Sequence, residues 1–340
     1  MLLLLIIMSM AVFSISSIMI LVSSVYDTSK RANVDIFDYF SIIQESSDQS
    51  GTWSTENEGI ITCYDVNVTT TPITTVLGTT NSYIIATADM DDLINDLNIN
   101  IVEGKKPSEG KQQILVNNSV ASNKSLDIGD QLGDFTVSGF FDGDVQVSLC
   151  HMGDFSTLYG EQPLSMLVVP EQGNSIKRVN ELCDELGEDV ELITRKTQLK
   201  NLDDEFETIN LIMDIIVILV SISLAIAVSA FVYTSYANRN EEFAIYYALG
   251  YGICDIIRLI LEETIYMSVF AYIVGNGVSI LIMKCVETLV YAPIGQVMNV
   301  MSAQNMCFTL VIPFLVILFS GVPVIRRLRK TDLLMLIERR

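Results

Sequence analysis

Hydrophobic and polar positions follow two different rhythms along this chain. Leu2 to Val25 is apolar or small and carries no charge. About 20 such residues span a bilayer, so residues 1–25 predict a transmembrane helix. The run is too long for a secretory signal, and no Lys or Arg precedes it. It starts almost at Met1, which predicts essentially no tail before the first span. Residues 26–49 predict a helical stalk continuing outward, with Val34, Ile36, Phe37, Tyr39, Phe40 and Ile43 as its apolar stripe.

From 50 to 190 the rhythm shortens. β-rich runs at Ile60–Val68, Thr74–Leu77, Tyr83–Ala88, Gln113–Val116, Phe135–Phe140, Val145–Leu149 and Leu164–Val169 are separated by Gly, Asp and Asn turns. Helical stretches, Met90–Leu97 and Ser175–Leu186, intervene. This predicts a mixed α/β core domain. Residues 191–208 are polar and helix-compatible, a return stalk that mirrors the outgoing one.

Long apolar runs resume at 209–233, 264–283 and 307–325, and predict three more spans within a C-terminal domain, 209–340. Asp214, near the start of the first of these, reads as a solvated helix end. Gly275 and Gly277 permit close helix contact. The fold class is therefore an α+β membrane protein, with four transmembrane helices and a large mixed α/β extracytoplasmic domain inserted between the first two.

The basic cluster Arg326, Arg327, Arg329 and Lys330 follows the last span at once and places the C-terminus in the cytoplasm. Four spans then put both termini inside, residues 26–208 outside and 234–263 inside. Segment 239–263 is too apolar for an ordinary loop. It reads as amphipathic helices broken at Gly250–Tyr251–Gly252, and suits a docking surface for a cytoplasmic partner.

Composition fits this segregation. Half of the residues are hydrophobic, yet 41 Asp and Glu against 20 Lys and Arg leave a net charge of -21. Most acids lie between Tyr26 and Glu207. Such acidity argues against nucleic acid, which needs a basic face. Of six cysteines, only Cys63, Cys150 and Cys183 fall in the outer region, so one disulfide is conceivable and a dense disulfide scaffold is not. His151 is the sole histidine. It lies beside Cys150, but neighbours on a strand point to opposite faces. Asp91–Asp92 and Asp142–Asp144 read as solvated turns. No phosphate-binding loop GxxxxGK[ST], GxSxG or HExxH occurs. Asn67, Asn117 and Asn123 begin glycosylation sequons. The chain thus shows no energy source, no metal site and no catalytic group of its own.

The order Arg239, Glu242, Ala248-x-Gly250 and, at the head of the next span, Glu263 resembles the signature of FtsX-like ABC transporter permeases, the family that includes MacB and the lipoprotein-releasing permeases. The stretch ILVNNSVASNKSLDIGDQLGDFTVSGFF, residues 114–141, resembles that family's external core domain. The resemblance implies a multi-pass plasma-membrane permease subunit and not an enzyme. It implies a separate cytoplasmic ABC ATPase carrying ATP and Mg, no cofactor in this chain, and a second permease chain as homo- or heterodimer partner. It also implies ATPase-coupling roles for Arg239, Glu242, Ala248, Gly250 and Glu263. Movement of the external domain would then serve export or extraction of a peptide, lipoprotein or lipid-like substrate. The alternatives are a transmembrane signalling component that activates a cell-wall hydrolase or sensor kinase, and, of another class, a membrane-anchored enzyme with its site in 50–190.

Overall fold

A computed structural model of the 340-residue chain describes residues 2–44, 57, 59–75, 78–171, 174–184 and 191–319. It divides into two compact units. One comprises residues 1–22, 208–286 and 299–340; the other comprises 23–207 and 287–298. The second boundary departs from the expected division, because 287–298 belongs with 23–207, the unit labelled outer for its expected location, and not with the rest of 209–340.

The outer unit is built on a ten-stranded mixed sheet. Its strands are β1 (Ser41–Ile43), β2 (Ile61–Thr75), β3 (Gly78–Thr87), β4 (Asn100–Gly104), β5 (Gln113–Asn117), β6 (Gln131–Leu132), β7 (Phe135–Asp142), β8 (Val147–His151), β9 (Ser165–Pro170) and β10 (Leu192–Ile193). They run in the order β10-β1-β9-β2-β3-β8-β5-β7-β4, with β6 on β7. Among the described strands, β3–β8 and β5–β7 pair in parallel and the other pairs are antiparallel.

Among the described residues the unit also holds the short helices α2 (Met90–Asp96), α3 (Asn118–Lys124), α4 (Met152–Tyr159) and α5 (Ile176–Asp184). Successive strand residues go to opposite cores. Ile85, Leu115, Leu149 and Leu167 pack with Phe37, Phe40, Leu93 and Phe141. Their neighbours Ile84, Ile114, Val116 and Cys150 pack with Val120, Phe135 and Phe155. Both faces are covered, which is why these strands read as unbroken apolar runs.

The expected stalk at 26–49 is only partly helical. Helix α1 (Leu2–Asn33) ends at Asn33, a 3-10 turn follows at Asp35–Asp38, and β1 takes over. Ile36, Phe37, Phe40, Ile42 and Ile43 are completely buried. What reads as a helical stripe is core of the sheet domain, because these side chains are claimed by strands far along the chain. Residues 45–49 lie outside the described residues.

Strand β2 also joins two expected strands into one, with Pro72 inside it. β9 pairs β2 only as far as Val66, so 67–75 has β3 alone as neighbour. Thr74 turns its N–H to the Asn123 side chain at 2.7 Å, away from β3. Pro72, two residues earlier, points the same way, so its missing N–H removes no ladder bond.

The sequons are committed to the fold. Asn67 and Asn117 are buried, and the Asn117 side chain caps α3 by accepting from Ser119 N–H at 2.9 Å. None of the six cysteines is in a disulfide.

The other unit is helical. Its elements are the first part of α1, α6 (Arg195–Asn238) from residue 208 on, α7 (Asn240–Ala248), α8 (Ile253–Val286) and α9 (Ala303–Thr309), which opens a longer apolar helical stretch, Asn305–Phe319. The return stalk from Arg195 and the second apolar run form one unbroken helix, α6.

Three described helices are long and apolar enough to cross a membrane: Leu5–Asn33, Arg195–Thr234 and Ile253–Ile294. Asn305–Phe319 contains the described part, 307–319, of the expected fourth span. The remainder of that span and the basic cluster lie outside the described residues.

Met8, Val12 and Ile15 of α1 pack with Val217, Ala225, Val228 and Val232 of α6 and with Ile260 and Ala271 of α8. Outward positions such as Leu211, Ile215, Leu219, Phe270 and Leu281 are exposed and apolar, as a lipid-facing surface requires. A Cβ on Gly275 would lie 2.7 Å from both the Ser9 carbonyl oxygen and Val12 Cβ, so this glycine sets the approach of α1 to α8. Gly277 faces open space. Of the two glycines expected to permit close helix contact, Gly275 meets α1 among the described residues.

Candidate coupling site

Helix α6 stops at Asn238, and a single residue, Arg239, separates it from α7. Arg239 leaves the helical region, with φ -98° and ψ 14°. The α7 register then turns Phe243 and Ala244 inward and leaves Tyr247 half-buried. Phe243 joins Ile256, Ile257 and Ile260 of α8 in one cluster. Glu241 and Glu242 in the first turn suit the positive end of the helix dipole.

The break after α7 follows from its sequence. Gly250 has φ +97°, a left-handed conformation that costs a residue with a Cβ. Its N–H donates to Tyr247 O at 3.0 Å, and Tyr251 N–H donates to Tyr246 O at 3.1 Å. These two bonds make a Schellman C-cap. The apolar contact that accompanies such a cap is a ring pair, Tyr246 and Tyr251, with centroids 5.8 Å apart. One residue later α8 begins with half a capping box, as Asp255 accepts from Gly252 N–H at 2.9 Å.

Three of the five predicted residues come together as a clamp. Arg239 Nε donates to Glu242 Oε2 at 2.7 Å. Its Nη1 donates to both carboxylate oxygens of Glu263, at 3.1 and 3.0 Å. The guanidinium also lies 5.7 Å from the centre of the Phe243 ring. Burial by itself lowers the Arg239 pKa; the hydrogen bonds to Glu242 and Glu263 outweigh that and leave it raised. The charge is therefore permanent, and it ties the start of α7 to α8. Arg258 and Glu262 form a separate, exposed pair at 2.8 Å.

Ala248 and Gly250, the other two predicted residues, are exposed and outside the clamp. Gly250 acts through the helix stop. The outer surface of this segment is apolar: Ile245 is 61% exposed, Leu249 70% and Tyr251 53%, with Tyr246 beside them. Hydrophobicity shows these residues in the sequence, but not which of them α8 leaves uncovered. This ridge is the part of the candidate site that motif reasoning passes over.

In the outer unit a shallow cleft of about 260 Å³ gathers Asp89, Asp91, Asp92, Lys106, Pro107 and His151. Lys106 pairs with Asp91 at 2.6 Å, and His151 Nε2 lies 3.2 Å from Pro107 O. Cys150 points into the core on the other face of β8, where burial first and Asp154 second push its thiol up to about 12. The two residues form no dyad. Among the described residues no three His, Cys, Asp or Glu side chains are grouped to hold a metal.

Residues 213–333 match the family model described as FtsX-like permease C-terminal. Over these residues the chain is similar to FtsX-like permeases. The match contains the whole Arg239–Glu263 clamp and the ridge beside it. A search of curated proteins finds no match. Among solved structures, the outer part of the chain is similar to the periplasmic region of MacB from Actinobacillus actinomycetemcomitans, at 9% identity and a TM-score of 0.31, covering 50% of this chain and 94% of that one. It is also similar to the extracellular domain of the ABC-type transporter YknZ from Gram-positive bacteria, at 12% identity and a TM-score of 0.30, covering 46% and 99%. The FtsX-like match thus falls on the part of the chain that holds two of the three described helices long and apolar enough to cross a membrane.

Proposed function

We propose that this chain is the permease subunit of an ABC transporter of the FtsX/MacB mechanotransmission type. A separate cytoplasmic ATPase, bearing ATP and Mg, docks on the α7 ridge and supplies the energy. Two permease chains, identical or related, work together in the lipid bilayer. The large domain between the first two apolar helices lies outside, and both termini lie in the cytoplasm. Movement of that domain exports or extracts a peptide, lipoprotein or lipid-like substrate.

The observation that carries this reading is the pairing of an exposed apolar ridge with a rigid mount. Ile245, Leu249 and Tyr251 have no covering element among the described residues, yet α7 beneath them is clamped to α8 by Arg239. A partner pushing on the ridge therefore pushes on α8. It also pushes on α6, a single helix of 44 residues, about 66 Å at 1.5 Å per residue. Clamp residues transmit and ridge residues touch; neither performs chemistry.

The test is reconstitution with the candidate ATPase. Leu249→Asp should abolish ATPase binding and stimulation while membrane insertion is retained. Glu242→Lys, which sets a second cation beside Arg239, should uncouple hydrolysis with binding less affected. A Tyr246→Cys variant should crosslink to the ATPase. Full stimulation by Leu249→Asp counts against the proposal, as does labelling of the thiol introduced by Tyr246→Cys with an impermeant reagent from outside the cell.

A further inference from the structure

The segment between the third and fourth apolar runs carries no charge from Thr288 to Asn305. It reads as a plain turn, but it is bound to the outer domain over four successive residues. Asn123 Nδ2 donates to Ile294 O at 3.3 Å and to Thr74 O at 2.8 Å. Gln296 Nε2 donates to the same Thr74 carbonyl at 2.8 Å. The Thr28 hydroxyl both accepts from Val297 N–H and donates to Val297 O, each at 3.3 Å.

Gly295 lies so close to α3 that a Cβ would land on the Ser119 backbone, and its φ is +65°. Only glycine fits there without displacement. The free edge of β2, left open by the end of β9, is thus closed by this segment and Asn123 together. The buried residues Tyr291 and Met298 flank the contact.

We propose that residues 294–297 form a releasable strap that fastens the outer domain to the hairpin between the third and fourth apolar helices. Release is built into the chemistry of the contact. Every bond in it is neutral, so none has the strength of a charge-assisted pair. Gln296 is 7% exposed, and among the described residues its Oε1 accepts no hydrogen bond. A buried acceptor left without a partner works against docking. The strap closes on backbone carbonyls and a threonine hydroxyl, so neither salt nor moderate pH operates it. The force that opens it has to arrive along the helices on either side. This inference does not depend on the identity of any ATPase.

Hydrogen exchange on the full chain in lipid nanodiscs tests it. In the native sequence, amides of 294–298 should be protected, and equally so at low and high salt. Gly295→Val should speed their exchange, and that of Thr74, by roughly tenfold or more. The β8 amides Val147–His151 should keep their protection. If Gly295→Val does not fold, Gln296→Ala, which removes both the bond to Thr74 and the orphan acceptor, should give a smaller acceleration at the same amides. Native 294–298 exchanging like open loop, unchanged exchange in both variants, or loosening that spreads equally to β8 would each overturn the proposal.

Discussion

Replacing Arg239 by alanine should detach α7 from α8 without unfolding either membrane-length helix. The guanidinium makes three hydrogen bonds to two carboxylates. Bonds to charged groups are worth about 1.5–3 kcal/mol, and exposed ion pairs only about 0.2–1 kcal/mol. The Arg239 and Glu263 side chains are 28% and 30% exposed, between those two situations, so screening removes part of the value. A coupling of about 1–2 kcal/mol is the expected size, and it changes a local opening equilibrium roughly 5- to 30-fold.

Hydrogen exchange at the α7 amides in nanodiscs reads that opening. They should exchange faster by that factor in Arg239→Ala, while β8 stays protected. Arg239→Lys keeps the charge but loses the fork that spans both carboxylates, and should fall between. Glu263→Gln should cost much less on the Arg239→Ala background than alone, since its bonds to the guanidinium are already gone. Unchanged protection in Arg239→Ala, or full additivity of the two substitutions, would refute the clamp.

Other consequences can be measured directly. Gly275→Val should push α1 from α8 and lower resistance to SDS unfolding by about 1–3 kcal/mol, whereas Gly277→Val, in open space, should behave like the native chain; equal behaviour of the two contradicts the packing. Gly250→Val should destabilise the end of α7 by about 1–2 kcal/mol, seen as faster exchange at Tyr246–Leu249. The Cys150 thiol should resist alkylation at pH 8 until the outer domain unfolds, because burial and Asp154 push it up to about 12 from 9.0. Between those values the unfolded chain has lost the proton that the folded chain still holds, so stability falls as pH rises through the window; Cys150→Ala should flatten that slope, and an unchanged slope would show that another group causes it.

Much of the architecture is legible in the chain because its signals are local. Apolar length marks the membrane helices, since only a fully hydrogen-bonded helix of about 20 residues crosses lipid. The helix stop at Gly250–Tyr251–Gly252 and its restart with Asp255 are cap chemistry contained within a few residues. Segment 113–142 likewise encodes its own strand, capped helix and turn. The clamp is half legible: Arg239, at the N-cap of α7, and Glu242, in its first turn, are three residues apart, but Glu263 reaches them only because α8 folds back against α7.

The sequence determined the membrane-length helices, most strands of the mixed domain, where α7 ends, and that an acidic domain is set apart from apolar helices. Only the tertiary structure decided who faces whom. It assigned Phe37 and Phe40 to a sheet core and not to a stalk, left Pro72 inside a strand with one open edge, set Gly275 and not Gly277 against α1, and left Ile245 and Leu249 uncovered beside a buried Phe243. The reason is that periodicity along a chain defines a face but not its neighbour. The neighbour arrives from far along the chain, and each long-range contact selects among faces that local sequence leaves equivalent.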